Sequence, residues 1–304
     1  MANQEAEPSG KLKMWKRLGF LSSQYLKFSH FMSLFYREIG QGEQTVVILH
    51  GLYGSSDNWM TIAKKLSRNF RIILPDQRNH GHSFHHNIHS YEAMASDLLE
   101  LLNQLKVSKI CLAGHSMGGK SAMRFAINYP EMIDCLAVID IAPKKYNFDE
   151  ITPDIVLNHC YIINSLISTN IQTLNSRNEI DLLLEKKIPN KALRSFLMKN
   201  IFRNSKNKFQ WRLNLESLKN NLDEISDGFS NAESFISLEK KPNVLFIKGE
   251  TSSYIADNDI PVINHFFPNA KLITIPDTGH WLHAEKPDYL VKILTDFFIH
   301  FQNI

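Results

Sequence analysis

Short, near-continuous apolar runs recur from Thr45 to Ile275, and stretches of helical periodicity separate most of them. Thr45 to Leu49 (TVVIL), Arg71 to Leu74 (RIIL), Ile110 to Ala113 (ICLA), Cys135 to Asp140 (CLAVID), Asn243 to Ile247 (NVLFI) and Lys271 to Ile275 (KLITI) are such runs. A strand that is apolar on both faces belongs in a sheet covered on both faces, the usual situation of parallel strands. Met32 to Glu38 alternates instead and predicts a strand with one wetter face. Apolar spacings of three and four predict helices over Trp59 to Leu66, Tyr91 to Leu105, Ser121 to Asn128 and Asp288 to Phe301. Strand and helix in alternation predict an α/β fold, with a mostly parallel central sheet and helices on both faces.

One stretch breaks the rhythm. Between Ala142 and Asn243 about a hundred residues read mostly helical, over Ile155 to Leu166, Ile180 to Lys187, Asn190 to Asn200 and Leu215 to Ile225, with a polar break at Arg203 to Lys208. Loops between helix and strand usually run about 2–6 residues, so a simple connection is excluded. The spacing predicts a core built from residues 32–142 and 243–304, with a helical cap, 143–242, inserted between its halves.

Composition narrows the function classes. The chain has 304 residues, a formal charge of +3 and 43% hydrophobic residues, which is ordinary for a globular protein. The small positive surplus, spread without a basic block, argues against a nucleic-acid partner. No apolar run reaches the roughly 18–20 residues that cross a bilayer. The three cysteines, Cys111, Cys135 and Cys160, form no Cys-x-x-Cys pair, so neither a zinc site nor a disulfide is expected, and a reducing compartment rather than secretion fits best. Residues 1–31 stand apart. Pro8 to Arg37 lacks acidic residues, and a helix there would set Trp15, Leu18, Leu21, Tyr25 and Phe28 on one face and Lys13, Arg17 and Lys27 on another. That pattern suits a mitochondrial targeting segment or a peripheral membrane contact, although Glu5 and Glu7 depart from the targeting pattern and leave a cytoplasmic location open.

The chemistry concentrates where the predicted strands end. Gly114-His115-Ser116-Met117-Gly118 follows one buried run and precedes a helix, the context in which Gly-x-Ser-x-Gly forms a strained elbow that lifts a nucleophilic serine out of the sheet. An oxyanion formed on attack needs two fixed N–H donors. Met117, directly after Ser116, and Leu52, in the loop His50-Gly51-Leu52-Tyr53-Gly54-Ser55 after the first parallel run, are the candidates, with His50 bracing that loop. The candidate base is His280, in Asp277-Thr278-Gly279-His280-Trp281 after the last strand, and His283 reads as a cap or surface residue. The orienting acid is less direct, because Ser252 stands where a carboxylate would follow Asn243 to Ile247. Asp140 ends a buried run, where a carboxylate is costly unless paired, and is preferred; Asp257 and Asp259 are the alternatives. Ser252 then reads as a support that hydrogen-bonds His280. Tyr53, Trp59, Tyr146, Trp211 and Trp281 are candidates to line an apolar substrate pocket. His80, His82, His85, His86 and His89 crowd one segment, but companion carboxylates or thiolates at ligand spacing are missing, so no metal is expected and the segment reads as a buttress of the site.

Taken together, His50 to Ser55, Asp76-x-Arg78-Asn79-His80-Gly81, Gly114 to Lys120, Val138 to Pro143, Phe209 to Leu215 and Gly279 to Pro287 resemble an α/β-hydrolase subfamily, that of abhydrolase domain-containing protein 11 and small bacterial esterases. The resemblance spans Met32 to Phe301. It implies a serine esterase or thioesterase acting on acyl or lipid-like small-molecule substrates of unspecified chain length without a cofactor, with Ser116 as nucleophile, His280 as base, Asp140 as acid and a serine at the position of Ser252. It also implies mitochondrial relatives in animals. The competing reading is a hydrolase-fold protein with an idle site that serves as a ligand-binding or scaffolding module.

Overall fold

The computed structural model describes residues 33–147, 158–229 and 242–300. The N-terminal segment and its amphipathic pattern lie outside these residues.

Alternation along each buried strand explains how one sheet serves two cores. In β2 (Thr45–Leu49), Val46 and Ile48 face one side and Val47 and Leu49 the other. The first side packs against α1 (Met60–Leu66) and the C-terminal helix α11 (Pro287–His300) through Ile62, Leu66, Leu290, Leu294 and Phe298. The second packs against α2 (Tyr91–Gln104) and α3 (Met117–Asn128) through Leu98, Leu102, Met123 and Phe125. The sheet has seven strands in the order β1-β3-β2-β4-β5-β8-β9. Here β1 is Tyr36–Ile39, β3 Arg71–Pro75, β4 Ile110–His115, β5 Ile133–Ile139, β8 Asn243–Gly249 and β9 Lys271–Ile275. Only β1 runs antiparallel to its neighbour.

Between β5 and β8 lie α4 (His159–Ile167), α5 (Arg177–Glu185), α6 (Lys191–Leu197), α7 (Leu215–Asn220) and α8 (Leu222–Ser226). Asn158, Ser176 and Asn190 cap α4, α5 and α6 by accepting an N–H from the first turn, which stops each helix at its polar residue. The insertion packs Ile162, Leu166, Leu197 and Leu218 against Leu52, Tyr53 and Met117 of the core, roofing the ends of the parallel strands.

Three expectations are corrected. The insertion is not purely helical: β6 (Ile201–Arg203) and β7 (Phe209–Trp211) form an antiparallel hairpin around the predicted polar break. The continuous helix expected over Leu215 to Ile225 is interrupted at Asn221, whose side-chain amide donates to the carbonyls of Asn87 and Ser217. Finally, Cys111 and Cys135 stand opposite one another on β4 and β5, with Cα atoms 4.7 Å apart, and are joined as a disulfide. Spacing along the chain says nothing about partners across a sheet, and the argument for a reducing compartment loses its basis.

Candidate active site

Parallel strands end at one edge of the sheet, so the loops after β2, β3, β4, β5, β8 and β9 converge there. The elbow after β4 turns at Ser116, whose backbone adopts φ 54° and ψ −122°, a region costly for any residue with a Cβ. The surrounding hydrogen bonds impose it. The Ser116 N–H donates to Ile139 O at 3.0 Å, and its carbonyl accepts from Gly119 N at 2.8 Å and Lys120 N at 3.1 Å. The flanking glycines are steric requirements, since a Cβ on Gly114 would lie 2.1 Å from Gly118 O and one on Gly118 would lie 2.4 Å from Leu49 O.

Ser116 and His280 line the same cavity of about 220 Å³. His280 Nδ1 donates to Asp140 Oδ2 at 2.8 Å. A carboxylate only accepts, so Nδ1 carries a proton, and in the neutral ring the lone pair is then on Nε2. Asp140 is fully buried, and it also accepts from Gly249 N at 3.0 Å and from the Ser252 hydroxyl. Ser252 therefore supports His280 through Asp140 rather than by bonding the imidazole. The two alternative acids point elsewhere: Asp259 pairs with Lys144 at 2.8 Å and accepts from Ala256 N, whereas Asp257 is exposed, 3.9 Å from Lys248. The imidazole of His280 is clamped further by Tyr254, stacked on it at 3.8 Å between ring centroids, and by His115 Nε2, which donates to the His280 carbonyl at 2.8 Å. Burial holds the His115 pKa well below its ordinary value, keeping that ring a neutral donor.

The loop carrying Leu52 is fixed from beneath by two neutral histidines. His50 Nε2 accepts from Gln77 N at 2.9 Å, so its Nδ1 donates to Gly51 O. His80 Nε2 accepts from Tyr53 N at 3.2 Å, and its Nδ1 donates to Arg78 O at 2.9 Å. Both are buried, and burial lowers both pKa values, which preserves the acceptor nitrogen each bond needs. Arg78 pairs with Asp97 through two nitrogens at 2.6 and 2.7 Å, and Asp76 accepts from Ser56 N and His82 N. The histidine-rich segment thus uses its rings as struts. Among the described residues no three His, Cys, Asp or Glu side chains are grouped to hold a metal. Met117 begins α3, so its N–H is one of those a helix leaves without an internal partner. The Leu52 N–H likewise enters no hydrogen bond among the described residues.

Of the predicted lining residues, Tyr53, Trp59 and Trp281 border the cavity, while Tyr146 borders a smaller one adjoining Ser116. Trp211 does not: it sits on β7 and borders a separate groove with His82, His85 and Arg212, because the hairpin turns it away from the strand ends. His283 is also corrected. It lines the cavity and stacks on Trp59 at 4.9 Å, and burial lowers its pKa to about 3. Its place three residues after His280, on the turn that opens α10 (Leu282–Glu285), was a usable signal. Tyr254 and His159, also at the cavity, had none.

The sequence profile of the alpha/beta hydrolase fold family matches residues 44–287. The chain is 38% identical over 263 residues to the sn-1-specific diacylglycerol lipase ABHD11 of Danio rerio, covering 84% of this chain and 79% of the lipase. It is 35% identical over 270 residues to a putative esterase/lipase of Haemophilus influenzae, covering 87% and 88%. A solved marine microorganism esterase superposes with a TM-score of 0.82 at 42% identity, covering 88% of this chain and 99% of the esterase. Ester hydrolysis is the general activity these relatives support, and with the profile spanning the sheet, the elbow and the histidine loop, the chain belongs to the α/β-hydrolase family.

Proposed function

We propose that this protein is a serine hydrolase that cleaves carboxylic esters or thioesters through an acyl-serine intermediate, with Ser116, His280 and Asp140 as its catalytic residues. The observation that carries this reading is the His280 Nδ1–H bonded to the buried Asp140 carboxylate. It fixes the tautomer whose Nε2 takes the Ser116 proton as Oγ attacks the acyl carbon. Leu52 and Met117 N–H groups hold the resulting oxyanion. Collapse breaks the bond to the alcohol or thiol, which leaves with the proton from His280. Water, activated by the same imidazole, then releases the acid and restores Ser116. The residues supply every proton transfer themselves, so no cofactor enters the scheme. The basic segment 1–31 supports a mitochondrial or membrane-peripheral location, testable by import of a fusion carrying that segment alone.

A fluorophosphonate probe tests the reading. Labelling of the folded protein that disappears in Ser116→Ala, with turnover of acyl esters and thioesters that disappears with it, is expected. A folded wild type that neither labels nor turns over would refute it in favour of an idle binding module.

A further inference from the structure

Ser116 stands between two chambers of unequal size. The larger, about 220 Å³, is bordered by Trp59, Leu193, Phe196 and Trp281. The smaller, about 20 Å³, is bordered by Tyr91, Met117, Lys120, Ile141, Tyr146 and Ile225. Ser116, Leu52, His159 and Tyr254 belong to both, while His280 borders only the larger one.

That asymmetry assigns the two halves of a substrate. At the tetrahedral centre one substituent is the Ser116 oxygen, and one is the oxyanion on Leu52 and Met117. The third, the leaving oxygen or sulfur, must meet the proton on His280 and therefore lies on the large-chamber side. The fourth, the acyl chain, is left with the small chamber.

We infer that the small chamber is the acyl subsite and that it restricts the enzyme to esters or thioesters of short acids, two or three carbons long, with the bulk of the substrate on the alcohol or thiol side. A space of this size holds about one water-sized group, which is the room a methyl or ethyl tail needs. Its floor does not yield easily. The Lys120 side chain is 1% exposed, and its ammonium donates to Ser226 O at 3.0 Å and to Asp227 O. The same ammonium lies 4.8 Å from the ring centre of Tyr146 and 5.6 Å from that of Tyr91. An apolar tail that pushed past it would strip a buried cation of these partners. Burial lowers the Lys120 pKa to about 7, and in either protonation state the nitrogen has the hydrogens to keep both carbonyl bonds. Ile141 and Ile225 line its sides and are themselves buried, at 3% and 2% exposure.

This inference rests on the serine-hydrolase reading, and one experiment separates their failures. kcat/KM is measured on the full chain with 4-nitrophenyl acetate, butanoate and octanoate, and with acetates of small and large alcohols. A methylene that fits or fails to fit a pocket is worth roughly tenfold or more. The expected wild-type preference is therefore at least about 100-fold for acetate over octanoate, with tolerance of large alcohols. Ile225→Ala should raise the butanoate-to-acetate ratio roughly tenfold, and Phe196→Ala should shift the alcohol preference but not the acyl ratio. Octanoate turned over as well as acetate by the wild type would overturn the inference while probe labelling keeps the serine hydrolase. Absence of both turnover and labelling would overturn the two together. The wild-type profile decides even where a variant fails to fold.

Discussion

Asp140→Asn is the most informative single change at the candidate site, because the hydrogen bonds around Asp140 dictate how an amide must sit. Oδ1 accepts from Gly249 N, and Oδ2 accepts from Ser252 Oγ and His280 Nδ1. Putting the asparagine nitrogen at the Oδ1 position sets it against a buried N–H, a donor facing a donor, at a cost of about 1–3 kcal/mol. The nitrogen therefore takes the Oδ2 position. There the Ser252 hydroxyl can rotate and accept, but Nδ1 of His280 must also accept, which moves the imidazole proton to Nε2. That tautomer cannot remove a proton from Ser116. The expected loss in kcat is roughly 10³–10⁴-fold, about 4–5.5 kcal/mol at 1.36 kcal/mol per factor of ten, with near-wild-type circular dichroism. Steady-state turnover of 4-nitrophenyl acetate measures it. A folded Asp140→Asn protein within tenfold of the wild type would refute the tautomer argument and the choice of acid together.

Other outcomes follow from the same geometry. Ser252→Ala removes one of three donors to Asp140 and leaves the imidazole bond, so kcat should fall by about tenfold or less, as expected for a lost bond to a charged acceptor worth about 1.5 kcal/mol. Asp257→Asn and Asp259→Asn should each keep kcat within about threefold, because neither carboxylate bonds His280 and one pKa-scale factor of ten would already be 1.36 kcal/mol. Gly118→Ala drives a Cβ into the Leu49 and His50 carbonyls at 2.4 and 2.5 Å. Overpacking of this kind costs about 1–3 kcal/mol or more, and a melting temperature equal to the wild type would contradict it.

Acid should weaken the fold through His89. The ring is fully buried, and burial, reinforced by the Arg78 charge, lowers its pKa from 6.5 to about 3. The unfolded chain therefore binds this proton below pH 6.5 while the folded one refuses it until about pH 3, so stability falls with pH through that window. At pH 5 the expected loss from this one residue is about 2 kcal/mol relative to neutral pH. Urea denaturation at pH 7.5 and 5.0 measures it, and His89→Gln should lose about that much less across the interval. Equal losses in the two proteins would show that His89 does not titrate on unfolding.

What could be read from the chain follows from how far each signal reaches along it. The strands β2, β4, β5 and β8 announced themselves because burial on both faces requires unbroken apolar runs, and Ser116 was legible because its elbow demands glycines at 114 and 118. Asp140 could be preferred because it caps such a run, yet the bond that selects it depends on β5 and β8 being neighbours, which carries the backbone of Asp140 to Ile247 O at 2.8 Å and its carboxylate to Gly249 and Ser252. The Cys111–Cys135 pairing is set by register across β4 and β5 and leaves no trace in local spacing.

The aromatic candidates separate on the same ground. Trp59 and Trp281 flank motifs that end core strands, so the sheet itself carries them to the cavity, whereas Trp211 belongs to a hairpin whose direction is set by contacts within the insertion. The supports of the site divide as well. His50 and the segment of His80 were legible as braces, whereas His115 carried no signal of its own, and each of the three is a neutral strut whose two ring nitrogens or one donor nitrogen hold a loop in place. A buried imidazole can donate at one nitrogen and accept at the other without carrying charge, which makes it the side chain suited to joining two backbone segments in a dry site. The abundance of histidine around Ser116 fits the rigidity that the proposed oxyanion site would require, with the N–H groups of Leu52 and Met117 in place before charge develops on the substrate.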